Sequence, residues 1–285
     1  MDSQTPWPAP AKLNLMLRIL GRRADGYHEL QTVFQFLEYA DELDFQVRAD
    51  GRIRLHYELP GVPRERDIVL RAATLLQQQS GTSFGADIHL DKRLPMGGGL
   101  GGGSSDAATT LMALNRLWDT GLDSRTLQQL GLKLGADVPV FVGGQSCWAE
   151  GVGEILTPLE LSEPWFLVII PDCHVSTASV FADPELTRHS PLSTIPAFLA
   201  GDQANDCQPL VRRRYPEVAR ALDWLGRFSP ARLTGTGACV FAVFESWEAA
   251  EEVRRQVPCE WGHILARGRS RSPLLRRLEQ AVPAR

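Results

Sequence analysis

Lysine is nearly absent from this chain. Of 30 basic residues only Lys12, Lys92 and Lys133 are lysines, so arginine is the ordinary surface cation. Ammonium and guanidinium are not interchangeable at a tight site, and a lysine kept within a strand pattern hints at chemistry there. An excess of positive charge is also missing. The net charge of −4 argues against a nucleic-acid binder that relies on a basic surface. No run of 18 apolar residues and no signal-peptide pattern occurs, so neither a membrane partner nor export is expected. The five cysteines (Cys147, Cys173, Cys207, Cys239, Cys259) are odd in number and widely spaced, with no C-x-x-C. That pattern suggests neither a disulfide framework nor a zinc site, and a reducing cytoplasm is the expected compartment. The six histidines are scattered, and no H-E-x-x-H joins any two of them. What remains, at 285 residues, 44% hydrophobic and 22% charged, is an ordinary globular composition for two modest domains or one large one.

Against that background one stretch stands out: Leu94-Pro95-Met96-Gly97-Gly98-Gly99-Leu100-Gly101-Gly102-Gly103-Ser104-Ser105-Asp106, with six glycines in seven positions. Residues 86–93 before it alternate like a strand. After it, Ala107, Leu111, Leu114 and Trp118 mark one face of a helix, with Ser-Ser-Asp at the expected cap. Strand, glycine loop and helix N-terminus together make an anion site, because free N–H groups and the positive dipole end point at the ligand. A flexible linker has the same composition but not these flanks. The P-loop pattern fails, since Gly103 and Ser104 stand where Lys is required. The dinucleotide pattern G-x-G-x-x-G is met by Gly97, Gly99 and Gly102, with Asp123 near the spacing of its acid, although any glycine run satisfies it.

Along the chain, residues 1–10 are proline-rich and expected to be loose. Residues 12–20 alternate as a half-buried strand, with Leu13, Leu15, Leu17 and Ile19 on one face and Lys12, Asn14, Met16 and Arg18 on the other. The second face is either solvated or part of a site. A polar loop, 21–29, carries Tyr27 and His28. Asp50-Gly51 between the alternating runs 43–47 and 53–57 predicts a hairpin. Asp67 caps a helix that stops at Gly81, and Ser124 opens another ending near Gly135. Asp137, just before Val138-Pro139, either caps the next turn or serves as a general base near the phosphate site. The pattern resets at 161–164, where a domain boundary is expected. Beyond it come a strand at 166–170, a hydroxyl-rich loop at 175–181, an irregular segment at 183–205 and a helix at 209–228. A strand pair at 232–244, a helix capped by Ser246 and a last strand at 261–266 complete the β-α-β-β-α-β order of a ferredoxin-like unit.

Pro10-Ala11-Lys12-Leu13-Asn14-Leu15, the 95–106 loop and Leu233-Thr234-Gly235-Thr236-Gly237-Ala238 together resemble the three motifs of the GHMP kinases, a superfamily named for galactokinase, homoserine kinase, mevalonate kinase and phosphomevalonate kinase. Within it, Arg22-Arg23-Ala24-Asp25-Gly26-Tyr27-His28-Glu29-Leu30, Gly135-Ala136-Asp137-Val138-Pro139-Val140-Phe141 and Asn205-Asp206-Cys207 are similar to the branch whose acceptor is 4-diphosphocytidyl-2-C-methyl-D-erythritol. The resemblance runs over residues 8–275. It implies an α+β fold: a ribosomal-S5-like, ATP-binding N-terminal domain (1–160) and a ferredoxin-like C-terminal domain (161–285), with the site in the cleft. The implied reaction moves the ATP γ-phosphoryl group to the C2 hydroxyl of that small-molecule substrate, with Mg²⁺, in the non-mevalonate route to isoprenoid precursors. Lys12 and Asp137 match the catalytic pair. Pro95, Met96, Gly97, Gly98, Gly99, Leu100, Gly101, Gly102, Gly103, Ser104 and Ser105 match the ATP loop. Tyr27, His28 and Phe181 fall where the cytidine ring is held, and Asn14 is grouped with them as a substrate contact. Asp67 stands where the family has Asn near the adenine, so no adenine contact is carried over. Metal ligands stay unassigned, with Ser104 and Ser105 as candidates, and the oligomeric state stays open. A dinucleotide-dependent oxidoreductase and a non-catalytic nucleotide-binding module are the alternatives.

Overall fold

The computed structural model describes residues 5–281. In chain order its elements are β1 (Trp7–Arg22), β2 (His28–Arg48), β3 (Ile53–Leu55), α1 (Ile68–Ser80), β4 (Gly85–Asp91), α2 (Gly102–Leu117), α3 (Ser124–Leu134), α4 (Val138–Gly143), β5 (Cys147–Gly151) and β6 (Ile155–Pro158). These are followed by β7 (Trp165–Ile170), α5 (Thr177–Ala182), α6 (Ile195–Leu199), α7 (Gln208–Arg214), α8 (Pro216–Leu225), β8 (Arg232–Leu233), β9 (Val240–Phe244), α9 (Trp247–Arg254), β10 (Gly262–Arg269) and α10 (Pro273–Gln280). The fold is the expected α+β arrangement. In the second half the strands lie in the order β10-β7-β9-β8, all antiparallel, with helices in the crossovers: the ferredoxin-like unit.

One long strand organises the first half. β2 pairs with β1 along most of its length, with β5 over Leu30–Phe34, with β4 over Glu42–Arg48 and with β10 at Phe36 and Leu37. Through that last contact a single sheet runs across both halves. The helices α1, α2 and α3 bury their apolar faces on this sheet in one core, which Leu274 of α10 and Ala281 also join. A second core lies under α7, α8 and α9, and a third, around Leu13, Met16, Leu37 and Phe166, fills the space between them.

Several expectations need correction. Of the proline-rich stretch expected to be loose, residues 1–4 lie outside the described residues, but Trp7, Pro8, Ala9 and Pro10 are already in β1 and pair with Ala40–Leu43. The turn at Asp50-Gly51 exists, with Gly51 at φ 71°, yet it does not close a hairpin. β4 takes the place beside β2 with seven pairs, and β3 pairs in parallel with β4 instead. Helix α2 begins at Gly102 rather than after Ser-Ser-Asp, with Gly101 as N-cap. Residues 177–182 are helical, Ser176 accepting from the Ser179 N–H, where a loop is predicted. The single helix expected at 209–228 is two, because Pro216 removes a donor and forces Tyr215 into an extended conformation. The remaining caps hold: Asp67 accepts from the Val69 and Leu70 N–H groups, and Gly81 ends α1 at φ 67°.

Candidate active site

Three stretches far apart in sequence meet at one point. On β1, the Lys12 Nζ donates to Asn14 Oδ1 at 2.5 Å and to the Gly99 carbonyl at 3.2 Å. The Asn14 N–H donates to Thr234 Oγ1 at 3.0 Å, and Thr234 Oγ1 donates to the same Gly99 carbonyl. The amide of Asn14 is turned by Thr32, whose Oγ1 accepts from Nδ2 at 2.9 Å and donates to the Met16 carbonyl. The second face of β1 is therefore not solvated: Lys12 is 3% exposed and Asn14 is buried beside it. Both line a cleft of about 810 Å³ with the glycine loop, α5 and the Gly235-Thr236 turn.

Asp137 completes this cluster. It occupies the N-cap position of α4 but makes no side-chain cap hydrogen bond. Instead its carboxylate lies 3.3 Å from Lys12 Nζ, and with 37% of the side chain exposed it faces the cleft. A buried ammonium next to a half-exposed carboxylate can orient that carboxylate and leave one oxygen free to accept a proton.

The glycine loop approaches this pair through backbone that a side chain would block. Gly99 has φ 78°, and a Cβ there would lie 2.3 Å from the Thr234 carbonyl oxygen. Gly101 has φ 75°, and its Cβ would lie 2.7 Å from the Phe141 ring and 3.1 Å from Lys12 Cε. The first N–H groups of α2 have no intrahelical acceptors, and Gly102, Gly103 and Ser104 present them at the cleft wall. Pro95, Met96, Gly97 and Gly98 line the cleft as well, whereas Leu100 and Ser105 are buried behind it. Gly103 is the one of these that tolerates a probe, with nothing closer than 4.0 Å to its Cβ. Gly103→Val is expected to weaken ATP binding by about tenfold or more in calorimetry at an unchanged Tm, because the new methyls stand between phosphate and the N–H groups. Undiminished ATP affinity would contradict a phosphate cradle here. Gly101→Val should lose both affinity and Tm, since Phe141 and Lys12 must move.

Beneath the loop lies a buried triad that sequence reasoning missed. Lys92 Nζ sits 2.5 Å from Asp41 and 2.6 Å from Asp106. The second Asp41 oxygen accepts from the Arg93 and Leu94 N–H groups, fixing the entry to the loop. Burial pushes the Asp106 carboxyl well above its ordinary range, with Lys92 pulling against it. Lys92 itself is shifted up: burial opposes its charge, but the two carboxylates outweigh burial. The scarcity of lysine was the only signal available for it. Lys92→Met leaves the buried Asp41 and Asp106 side chains without their cation and is expected to cost about 3–5 kcal/mol of stability. A urea-unfolding midpoint equal to the wild type's would refute that.

At the other end of the cleft the rings gather. Tyr27 is 61% exposed, and its N–H is tied to Asp25. His28, buried at the start of β2, stacks on Phe181 of α5 with centroids 5.0 Å apart and planes 27° apart. Its Nε2 accepts from Arg188 Nε at 3.1 Å. Burial, then Arg188, then Arg22 lower the pKa of the imidazole, which favours its neutral form. The turn of the third motif is joined to α5 by a hydrogen bond of 2.9 Å between the Thr177 and Thr236 hydroxyls. Asn205 fixes that turn by donating to the Leu233 and Gly235 carbonyls. Among the described residues, no group of three or more His, Cys, Asp or Glu could hold a metal by itself, and no helix is long and apolar enough to cross a membrane.

Comparison with known proteins finds relatives along nearly the whole chain. The GHMP kinases N terminal domain matches residues 67–145, and the GHMP kinases C terminal domain matches residues 187–264. A 4-diphosphocytidyl-2-C-methyl-D-erythritol kinase of Ectopseudomonas mendocina is 61% identical over 272 residues, 95% of this chain and 94% of its own. One from Pseudomonas aeruginosa is 58% identical over 282 residues, covering 99% of this chain and 100% of its own. Among solved structures, a 4-(cytidine 5'-diphospho)-2C-methyl-D-erythritol kinase superposes with a TM-score of 0.82 at 32% identity, over 93% of this chain and 99% of its own. A mevalonate kinase superposes at 0.68 with 15% identity, over 94% and 99%, and shares the fold. The chain belongs to the 4-diphosphocytidyl-2-C-methyl-D-erythritol kinase family of the GHMP kinases, which carry out ATP-dependent phosphotransfer.

Proposed function

We propose that this protein transfers the γ-phosphoryl group of ATP to the C2 hydroxyl of 4-diphosphocytidyl-2-C-methyl-D-erythritol, a step in the non-mevalonate route to isoprenoid precursors. The observation that carries this reading is the 3.3 Å contact of Lys12 with Asp137, beside the open N–H groups of α2 in one cleft. Phosphoryl transfer requires positioning and charge neutralisation more than covalent help from the protein. In this reading the N–H groups of Gly102, Gly103 and Ser104 hold the phosphates. Lys12 offsets charge as it moves between nucleotide and acceptor. Asp137 accepts the proton of the acceptor hydroxyl, and Asn14, hydrogen-bonded to Lys12, orients the acceptor. Tyr27, His28 and Phe181 hold the cytosine.

Mg²⁺ belongs to the same reading. Asp106 lines the cleft, and its Oδ1 is a buried oxygen with no hydrogen-bond partner among the described residues, a donor that suits a hard cation. Asp106 would hold it, with Ser104 also at the cleft wall. Bound there, the ion would neutralise phosphate charge. Two domains meeting near residue 160 are part of the proposal, the matched family segments falling on either side. So is cytoplasmic action on a small molecule without nucleic-acid or membrane partners, supported by the net charge of −4 and by five free cysteines.

The oxidoreductase alternative loses its acid, because Asp123 is the N-cap of α3 and accepts from the Thr126 N–H at 2.8 Å. A test is to supply ATP, Mg²⁺ and the diphosphocytidyl ester and to follow ADP. ADP formed only when both substrates are present supports the kinase. ATP binding without transfer favours a non-catalytic module, and NAD(P) binding without ATP turnover favours the oxidoreductase.

A further inference from the structure

We propose that Arg188 is a positioning residue that locks His28 into one tautomer and thereby sets which pyrimidine the site accepts. The inference rests on the reading that His28 meets the edge of the base.

Arg188 lies in the segment between α5 and α6, and its guanidinium makes four hydrogen bonds. Nη2 donates to the carbonyls of Phe181 and Asp183 at 2.8 and 2.7 Å, and Nη1 to that of Leu186 at 3.2 Å. The Nε–H donates to His28 Nε2 at 3.1 Å. A guanidinium only donates and does not deprotonate in proteins. The lone pair of His28 must therefore be on Nε2. A neutral imidazole has one proton, so it sits on Nδ1. Among the described residues no group accepts from Nδ1, and His28 lines the cleft. The result is a single N–H donor presented to whatever stacks beside Tyr27.

Cytosine N3 accepts a hydrogen bond, and uracil N3–H donates one. The Nδ1–H suits the first and opposes the second. For uracil to be accepted, the His28 proton would have to move to Nε2, where it would point at the Arg188 N–H. Three carbonyls keep Arg188 from withdrawing, and the stacking on Phe181 keeps the imidazole from turning away. Arg188 thus removes the adaptation by which a histidine reads either base.

Nitrogen-15 NMR of the His28 ring, together with kcat/KM for the cytidine and uridine esters, tests this. Wild-type protein should show a protonated Nδ1 and a bare Nε2. Arg188→Met should show a mixture of tautomers, and its cytidine-over-uridine ratio should fall by about tenfold or more. Arg188→Lys loses the carbonyl clamp but keeps a donor toward Nε2, so KM should rise for both esters with the ratio largely kept. That variant separates a loosened α5 from a freed tautomer. A wild-type Nε2–H, or an Arg188→Met ratio equal to that of a selective wild type, overturns the proposal alone. A wild type indifferent to the two esters overturns it together with the reading of base recognition on which it rests.

Discussion

Asp137→Asn is expected to lower kcat by about 10² or more while leaving KM nearly unchanged, the pattern of an interaction made only in the transition state. Asparagine keeps the size and shape of the side chain and loses only its ability to take the proton and to pair with Lys12. Stability should not confuse the result. The carboxylate makes no cap hydrogen bond to α4, so the substitution removes no cap and Tm should hold. Lys12→Met should lower kcat similarly, though it also removes the bonds to Asn14 and to the Gly99 carbonyl. Steady-state kinetics of Asp137→Asn decides the matter. Turnover close to that of the wild type would reduce Asp137 to a residue that merely begins a helix.

A still larger effect is expected from the substrate. The cytidine diphosphate ester should be preferred over its uridine analogue by about 10⁴–10⁵ in kcat/KM, as for sites whose buried polar groups are left unpaired by the wrong partner. Stacking contributes about 1–3 kcal/mol per base but accepts any base, so it adds affinity without choice. Choice has to come from an edge reader, and in the proposed reading that is His28. His28→Ala should narrow the gap between the two esters. Phe181→Ala should raise KM for both, and it also withdraws the face on which His28 lies. Comparable kcat/KM values for the two esters in the wild-type protein would refute this scheme and direct attention to the methylerythritol end.

Much of this was legible because it is local. The alternation of 12–20 marked β1 and its two faces, and Asp67 and Gly81 marked both ends of α1. The glycine loop between strand and helix marked the proposed phosphate site. Errors arose where a local signal competed with packing. Glycines are poor helix formers, so Gly102 and Gly103 read as loop, although α2 begins with them. Asp-Gly read as a hairpin because the partner that displaces it, β4, is reached only after α1. The site's supports were hidden for a plainer reason: they are long-range. Asp41 meets Lys92 across 51 positions, and His28 meets Arg188 across 160. Neither contact leaves a periodic trace. Asp137 held two readings in sequence, cap and base, and the lack of a side-chain bond to α4 favours the second.

The scarcity of lysine acquires a practical meaning once the three are located. Lys12 is enclosed, and Lys92 is held as an ammonium between two carboxylates. Lys133, on the outer face of α3, is exposed. Amine-directed reagents, which need an accessible free base, should therefore modify the folded protein at one side chain. A dye, a tether or a sensor surface coupled by amine chemistry would be attached there, apart from any attachment at the α-amino group, and the cleft would stay open. The same reagent applied after unfolding should find three side chains, so the stoichiometry of labelling becomes a direct count of folded molecules.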